Sequence, residues 1–79
     1  MTTKIEKPLR MLRRQEVESR TGLTRSSLYA KLSQNPKRPK EYDPDFPRPV
    51  RISARAVAWP EHEIEAWLAR QIEKSRTAA

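Results

Sequence analysis

Apolar residues along the chain fall in short groups, and their spacing changes from helical to alternating and back to helical. The first group is sparse. In RQEVESRT, residues 14–21, Val17 faces a core that Leu12 enters just before, while Glu16, Glu18 and Arg20 stay in water. The chain's only glycine, Gly22, follows at the place where a helix end favours a left-handed residue, and Leu23 is the apolar residue that closes such a turn. These signals predict a short helix over about 14–21 with an unmarked start, since no good capping residue precedes it.

A second helix has a clearer beginning. Thr24 is a good N-cap, the helix runs to about Ser33 or Gln34, and Pro36 stops it. Leu28 and Leu32 form a narrow apolar stripe, flanked by Arg25 and Tyr29. At about 100° per residue, Ser26, Ala30 and Ser33 fall opposite the stripe, which predicts an outward face that is small and uncharged. Such a face suits close approach to another surface.

Residues 35–48 carry Pro36, Pro39, Pro44 and Pro47, with Pro49 next, and predict a long loop without regular structure. Its first half, NPKRPK, is cationic. Its second half, EYDPDF, is acidic, with Tyr42 and Phe46 expected to pin it to the core. From Val50 the period becomes two, and VRISARAVAW reads as a β-hairpin turning around Ser53, Ala54 and Arg55. Val50, Ile52, Val57 and Trp59 are expected to face inward, with Arg51 in water and Arg55 at the tip. Without an Asn-Gly or Gly-X pair, the turn is expected to be longer than two residues. Pro60 suits the first position of a third helix, with Glu61, Glu63 and Glu65 near the positive end of its dipole. Ile64, Trp67, Leu68 and Ile72 make its stripe the best amphipathic pattern in the chain, over about 61–75, and burial against the domain's own core is favoured over a dimer zipper.

Seventy-nine residues allow one small core, and no cysteine is present to brace it with a disulfide or a thiolate metal site. The domain is expected over 11–76, between an arm at 1–10 and a frayed tail at 77–79. Seventeen Lys and Arg against ten Asp and Glu give a net charge of +7, which points to a polyanionic partner. The excess is concentrated: residues 24–55 carry 8 basic and 3 acidic side chains, and residues 56–79 carry 3 and 4. No apolar stretch approaches the ~20 residues that span a bilayer and no signal-peptide pattern is visible, so a cytoplasmic protein is expected.

Little here supports catalysis. One His, no Cys and no Gly-rich phosphate loop leave no nucleophile with its base, so the chain reads as a non-enzyme without a cofactor. His62 reads as an exposed residue near a helix start, not a metal ligand. Glu41, Asp43 and Asp45 fit no calcium loop and read as solubilising charges.

A short helix, a glycine turn and a Thr-capped second helix with a small outer face are the parts of a helix-turn-helix, whose second helix enters the DNA major groove by its first residues. The hairpin behind it, with Arg51 outward and Arg55 at its tip, stands where a wing would lie on phosphates. The expected fold is mainly α with a β-hairpin: a small winged helix-turn-helix with a C-terminal amphipathic helix.

The runs EVESRTGLTRSSLYAKL and DPDFPRPVRISARAVAWPEHEIEAWLARQI closely resemble the AlpA family of phage and prophage regulators, which belongs with excisionases and MerR-type winged domains. The resemblance covers residues 12–73. Its specific parts are Thr21-Gly22-Leu23, Ser27-Leu28-Tyr29, Phe46-Pro47-Arg48-Pro49-Val50, Trp59, and Glu63 and Ile64 with Ala66 and Trp67. It implies a recognition helix at Thr24 to Lys31 and a wing at Val50 to Trp59, with Ala30 standing where many members carry a basic residue. On both lines, Arg25 and Ser26 are expected at base edges, Ser27 on the helix end after Thr24, and Tyr29 and Lys31 at flanking phosphates. Lys37 and Arg38 of the loop and Arg48, Arg51 and Arg55 around the wing are expected on the backbone.

A single module of this size covers only ~600–1,000 Å² of DNA, so further copies of the chain on one site are implied. The expected function is sequence-specific binding of double-stranded DNA by a transcriptional regulator of a phage or mobile element. The alternatives are an architectural excisionase working with an integrase, and an adaptor that binds protein through the acidic, aromatic loop.

Overall fold

The computed structural model describes residues 9–34 and 36–78. In order, the elements are β1 (Met11–Leu12), α1 (Arg14–Thr21), α2 (Arg25–Leu32), a 3-10 turn (Pro39–Glu41), β2 (Val50–Ser53), β3 (Ala56–Pro60) and α3 (Glu61–Thr77). The strands form one antiparallel sheet in the order β1-β3-β2. Three helices with a hairpin make the small winged helix-turn-helix that the sequence predicts.

Local chemistry fixes the helix pair. The Glu16 carboxylate accepts the Arg13 backbone N–H at 2.9 Å, which marks the start of α1 although no good capping residue precedes it. That bond, outweighing a small burial effect and helped by Arg10 and Arg20, holds the Glu16 carboxyl below its ordinary value. Gly22 ends α1 at φ 76°, with its N–H on the Glu18 carbonyl at 2.8 Å. The Thr21 hydroxyl donates to the Val17 carbonyl and accepts the Leu23 N–H, bracing the same turn. Thr24 then caps α2 by accepting the Ser27 N–H at 3.1 Å.

The core gathers Leu12, Val17, Leu28, Phe46, Trp59, Ile64 and Trp67, with Leu23, Leu32 and Leu68 packed at its margin. Strand β1 is too short to show an alternation, and its pairing of Leu12 with Trp59 closes the base of the sheet. Arg10, expected within an arm, is tied to the fold: its carbonyl accepts the Glu61 N–H at 2.8 Å, one of the unpaired donors at the start of α3. The rest of that arm lies outside the described residues except Leu9. Arg20 is exposed, as expected, and it also pairs with Glu61 at 2.6 Å and so joins α1 to α3.

Several expectations need correction. Only Trp59 of the predicted inward row is buried, whereas Val50, Ile52 and Val57 are 45%, 47% and 39% exposed. The helices cover the base of the hairpin, where Ala58 and Trp59 are both fully buried, and its outer half stands clear of the core. The turn holds two residues, Ala54 and Arg55, because Ser53 pairs with Ala56, and Ile52 is an extra residue between the Arg51–Val57 and Ser53–Ala56 pairs. No non-glycine residue among those described has positive φ, so this is not a primed turn. The bulge supplies local twist that an unprimed turn lacks.

Ala30, expected on the outward face, is 7% exposed, because the segment around Pro39–Glu41 folds back on α2. The loop is therefore not wholly irregular. Helix α3 runs to Thr77, beyond the expected 75 and into the predicted tail, with Pro60 one position before its first residue. Ile72 is 51% exposed, since the helix outruns the core beneath it. No helix of the described residues is long and apolar enough to cross a membrane.

Candidate nucleic-acid interface

Two tryptophans hold the loop that frames the interface. Trp59 Nε1 donates to the Pro47 carbonyl at 3.0 Å, and Trp67 Nε1 donates to Asp43 Oδ2 at 3.0 Å. Phe46 meets the Trp67 ring edge to face, with centroids 4.9 Å apart at 84°. Asp43 is thus a structural acceptor and not the solubilising charge that its neighbourhood predicts. Its other oxygen accepts the Asp45 N–H at 2.9 Å. Burial pushes its carboxyl up, but the Trp67 and Asp45 donors and the charges of Lys31 and Lys74 together hold it below its ordinary value.

With the loop seated, the free face of α2 is narrower than its helical wheel predicts, because Ala30 is covered. Arg25, Ser26, Tyr29 and Ser33 remain exposed along it. The Arg25 guanidinium stands 6.0 Å from the centre of the Tyr29 ring. Arg38 reaches this face from the loop: one arm donates to the Ser26 hydroxyl, and the other is held by Glu41, with Nη2 2.9 Å from Oε1. Lys37 is exposed in the same segment.

Other predicted contacts are placed differently. Thr24 and Ser27 are joined in the cap, their hydroxyls 3.1 Å apart. Lys31 turns to the opposite flank, its ammonium 5.6 Å from the Trp67 ring centre, so the structure does not bring it together with Arg25. Arg48 donates to the Leu32 carbonyl at the end of α2 and to the Tyr42 hydroxyl at 3.2 Å; it clamps the loop rather than the wing. On the wing, Arg51 donates to the Ala54 carbonyl at 3.1 Å and Arg55 occupies the turn.

The span from Arg10 to Ile72 runs from β1 into α3 and takes in both α2 and the wing, and residues 10–72 match the family model described as Prophage CP4-57 regulatory protein (AlpA). The chain belongs to the AlpA family. Among its relatives is the DNA-binding transcriptional activator AlpA of Escherichia coli (strain K12), 38% identical over 63 residues that make up 80% of this chain and 86% of the relative. No solved structure matches the chain significantly.

In this AlpA-family chain Arg13, Arg14 and Gln15 stand beside the wing although no site motif in the sequence includes them. They line one open hollow with Tyr29, Arg55 and Val57. A basic pair at the start of the first helix is the available signal, but only the fold shows that α1 starts beside the wing.

Proposed function

We propose that this AlpA-family chain is a transcriptional regulator that binds double-stranded DNA sequence-specifically and serves a phage or other mobile element. The observation that carries the reading is the exposed row Arg25, Ser26 and Tyr29 on a Thr-capped second helix, beside a wing bearing Arg51 and Arg55. Family membership supports it: the matched model describes a prophage regulatory protein, and the Escherichia coli relative is named a DNA-binding transcriptional activator.

In this reading the start of α2 enters the major groove and Arg25 offers its two donors to guanine O6 and N7, the commonest specific pairing. Ser26, oriented by Arg38, discriminates little. Arg51 and Arg55 lie on phosphates and Lys37 flanks the helix from the loop, contacts that fix register without reading sequence. Titrating the affinity with salt tests it. With about 5–7 phosphate contacts, log K falls against log salt with a slope of about −4 to −6, whereas a slope near zero refutes DNA binding. A gel assay for DNA bending then separates a regulator from an architectural excisionase, which must bend its site.

A further inference from the structure

The hollow between α1, α2 and the wing is lined by Arg13, Arg14, Gln15, Tyr29, Arg55 and Val57, three guanidinium groups and no carboxylate. Arg14 shares its charge with Glu18, one turn on. Arg13 and Arg55 are exposed, and neither has an ion pair among the described residues. Tyr29 and Val57 are 43% and 39% exposed, an aromatic ring and an apolar wall left open to water beside the three cations. Cation forks with an adjoining apolar wall match a phosphodiester and the deoxyribose attached to it. The hollow also adjoins the free face of α2, because Tyr29 borders both and Arg25 lies over its ring.

We infer that this hollow seats the sugar–phosphate backbone of one DNA strand between α2 and the wing, with Arg13 and Arg14 as phosphate-binding residues. The inference rests on the DNA-binding reading above, and it explains why the wing leaves Val57 uncovered.

The test compares Arg13→Gln/Arg14→Gln with an equally discharged control, Lys74→Gln/Arg76→Gln, about 20 Å along α3 from its start. Binding to a duplex of arbitrary sequence is followed by fluorescence anisotropy from low to high salt. Each lost phosphate contact removes about 0.9 from the slope, so the α1 variant loses about 1.8, and near 0.1 M salt its affinity falls about 60-fold. The control keeps its slope. Arg13→Gln alone, which breaks no ion pair, loses about half as much and guards against a folding defect in the double variant. A steep wild-type slope that the α1 variants leave unchanged, or that both double variants lower alike, overturns the inference while DNA binding stands. A flat wild-type slope overturns the DNA reading itself.

Discussion

The bond from Trp67 to Asp43 carries a measurable share of the domain's stability, and that share depends on pH. Both Asp43 oxygens accept hydrogen bonds, from Trp67 Nε1 at 3.0 Å and from the Asp45 N–H at 2.9 Å. A hydrogen bond to an ionised acceptor contributes ~1.5–3 kcal/mol when well shielded. Asp43 is only half-buried, so solvent screening brings the expected value to about 1 kcal/mol. Trp67→Phe removes the donor and keeps a ring against Phe46, and Asp43→Ala removes the acceptor. Urea melts of both and of the double variant should give a coupling of about 1 kcal/mol at neutral pH. The Asp43 carboxyl is held below its ordinary value of 3.8, so its contribution is complete above that value and fades as pH falls through the lower folded one. The coupling should therefore shrink as pH falls below that range. A coupling under about 0.3 kcal/mol at neutral pH, or one that is undiminished in acid, would refute the role assigned to this carboxylate.

Trp59 is fully buried, so Trp59→Ala should cost ~3–5 kcal/mol and unfold much of the population, while the exposed His62→Ala should stay within about 0.5 kcal/mol in thermal melts. Gly22→Ala meets nothing within 4 Å, so its cost is the left-handed backbone alone, ~1 kcal/mol; a melting temperature lowered by about 4–8 °C checks it. Arg25→Ala should cost ~1–3 kcal/mol on a specific site and much less on random DNA, whereas Arg51→Ala should weaken both alike. Equal losses for Arg25→Ala on the two DNAs would show that α2 is not the reading helix.

Elements announced by punctuation were legible in the sequence: Gly22 and Thr24 bound the turn between the helices, and Pro60 stands at the start of α3. Their signals act within a few residues. What could not be read depends on which distant segment covers a face. Ala30 lies opposite the apolar stripe by helical period, yet it is buried because a loop some ten residues on folds back over it. Alternation in the hairpin marks which residues share a face but not how far the core extends beneath it, so Val50, Ile52 and Val57 were expected inside. The roles of Asp43 and Arg48 rest on partners 24 and 16 residues away, Trp67 and the Leu32 carbonyl. Nothing in the local sequence names those partners.

The loop is anchored at both margins of one short stretch. Arg48 holds the Leu32 carbonyl, Arg38 holds the Ser26 hydroxyl, and between Leu32 and Arg38 the residues Ser33, Gln34, Pro36 and Lys37 are exposed. A segment with fixed ends and no buried side chain among its described residues can change length at small cost, because doubling a loop adds only ~0.6 kcal/mol of closure entropy. This stretch is therefore the natural graft site of the domain. Residues inserted there would extend its reach along a bound surface while the two indoles kept the scaffold rigid, so that target preference and thermal stability could be varied separately.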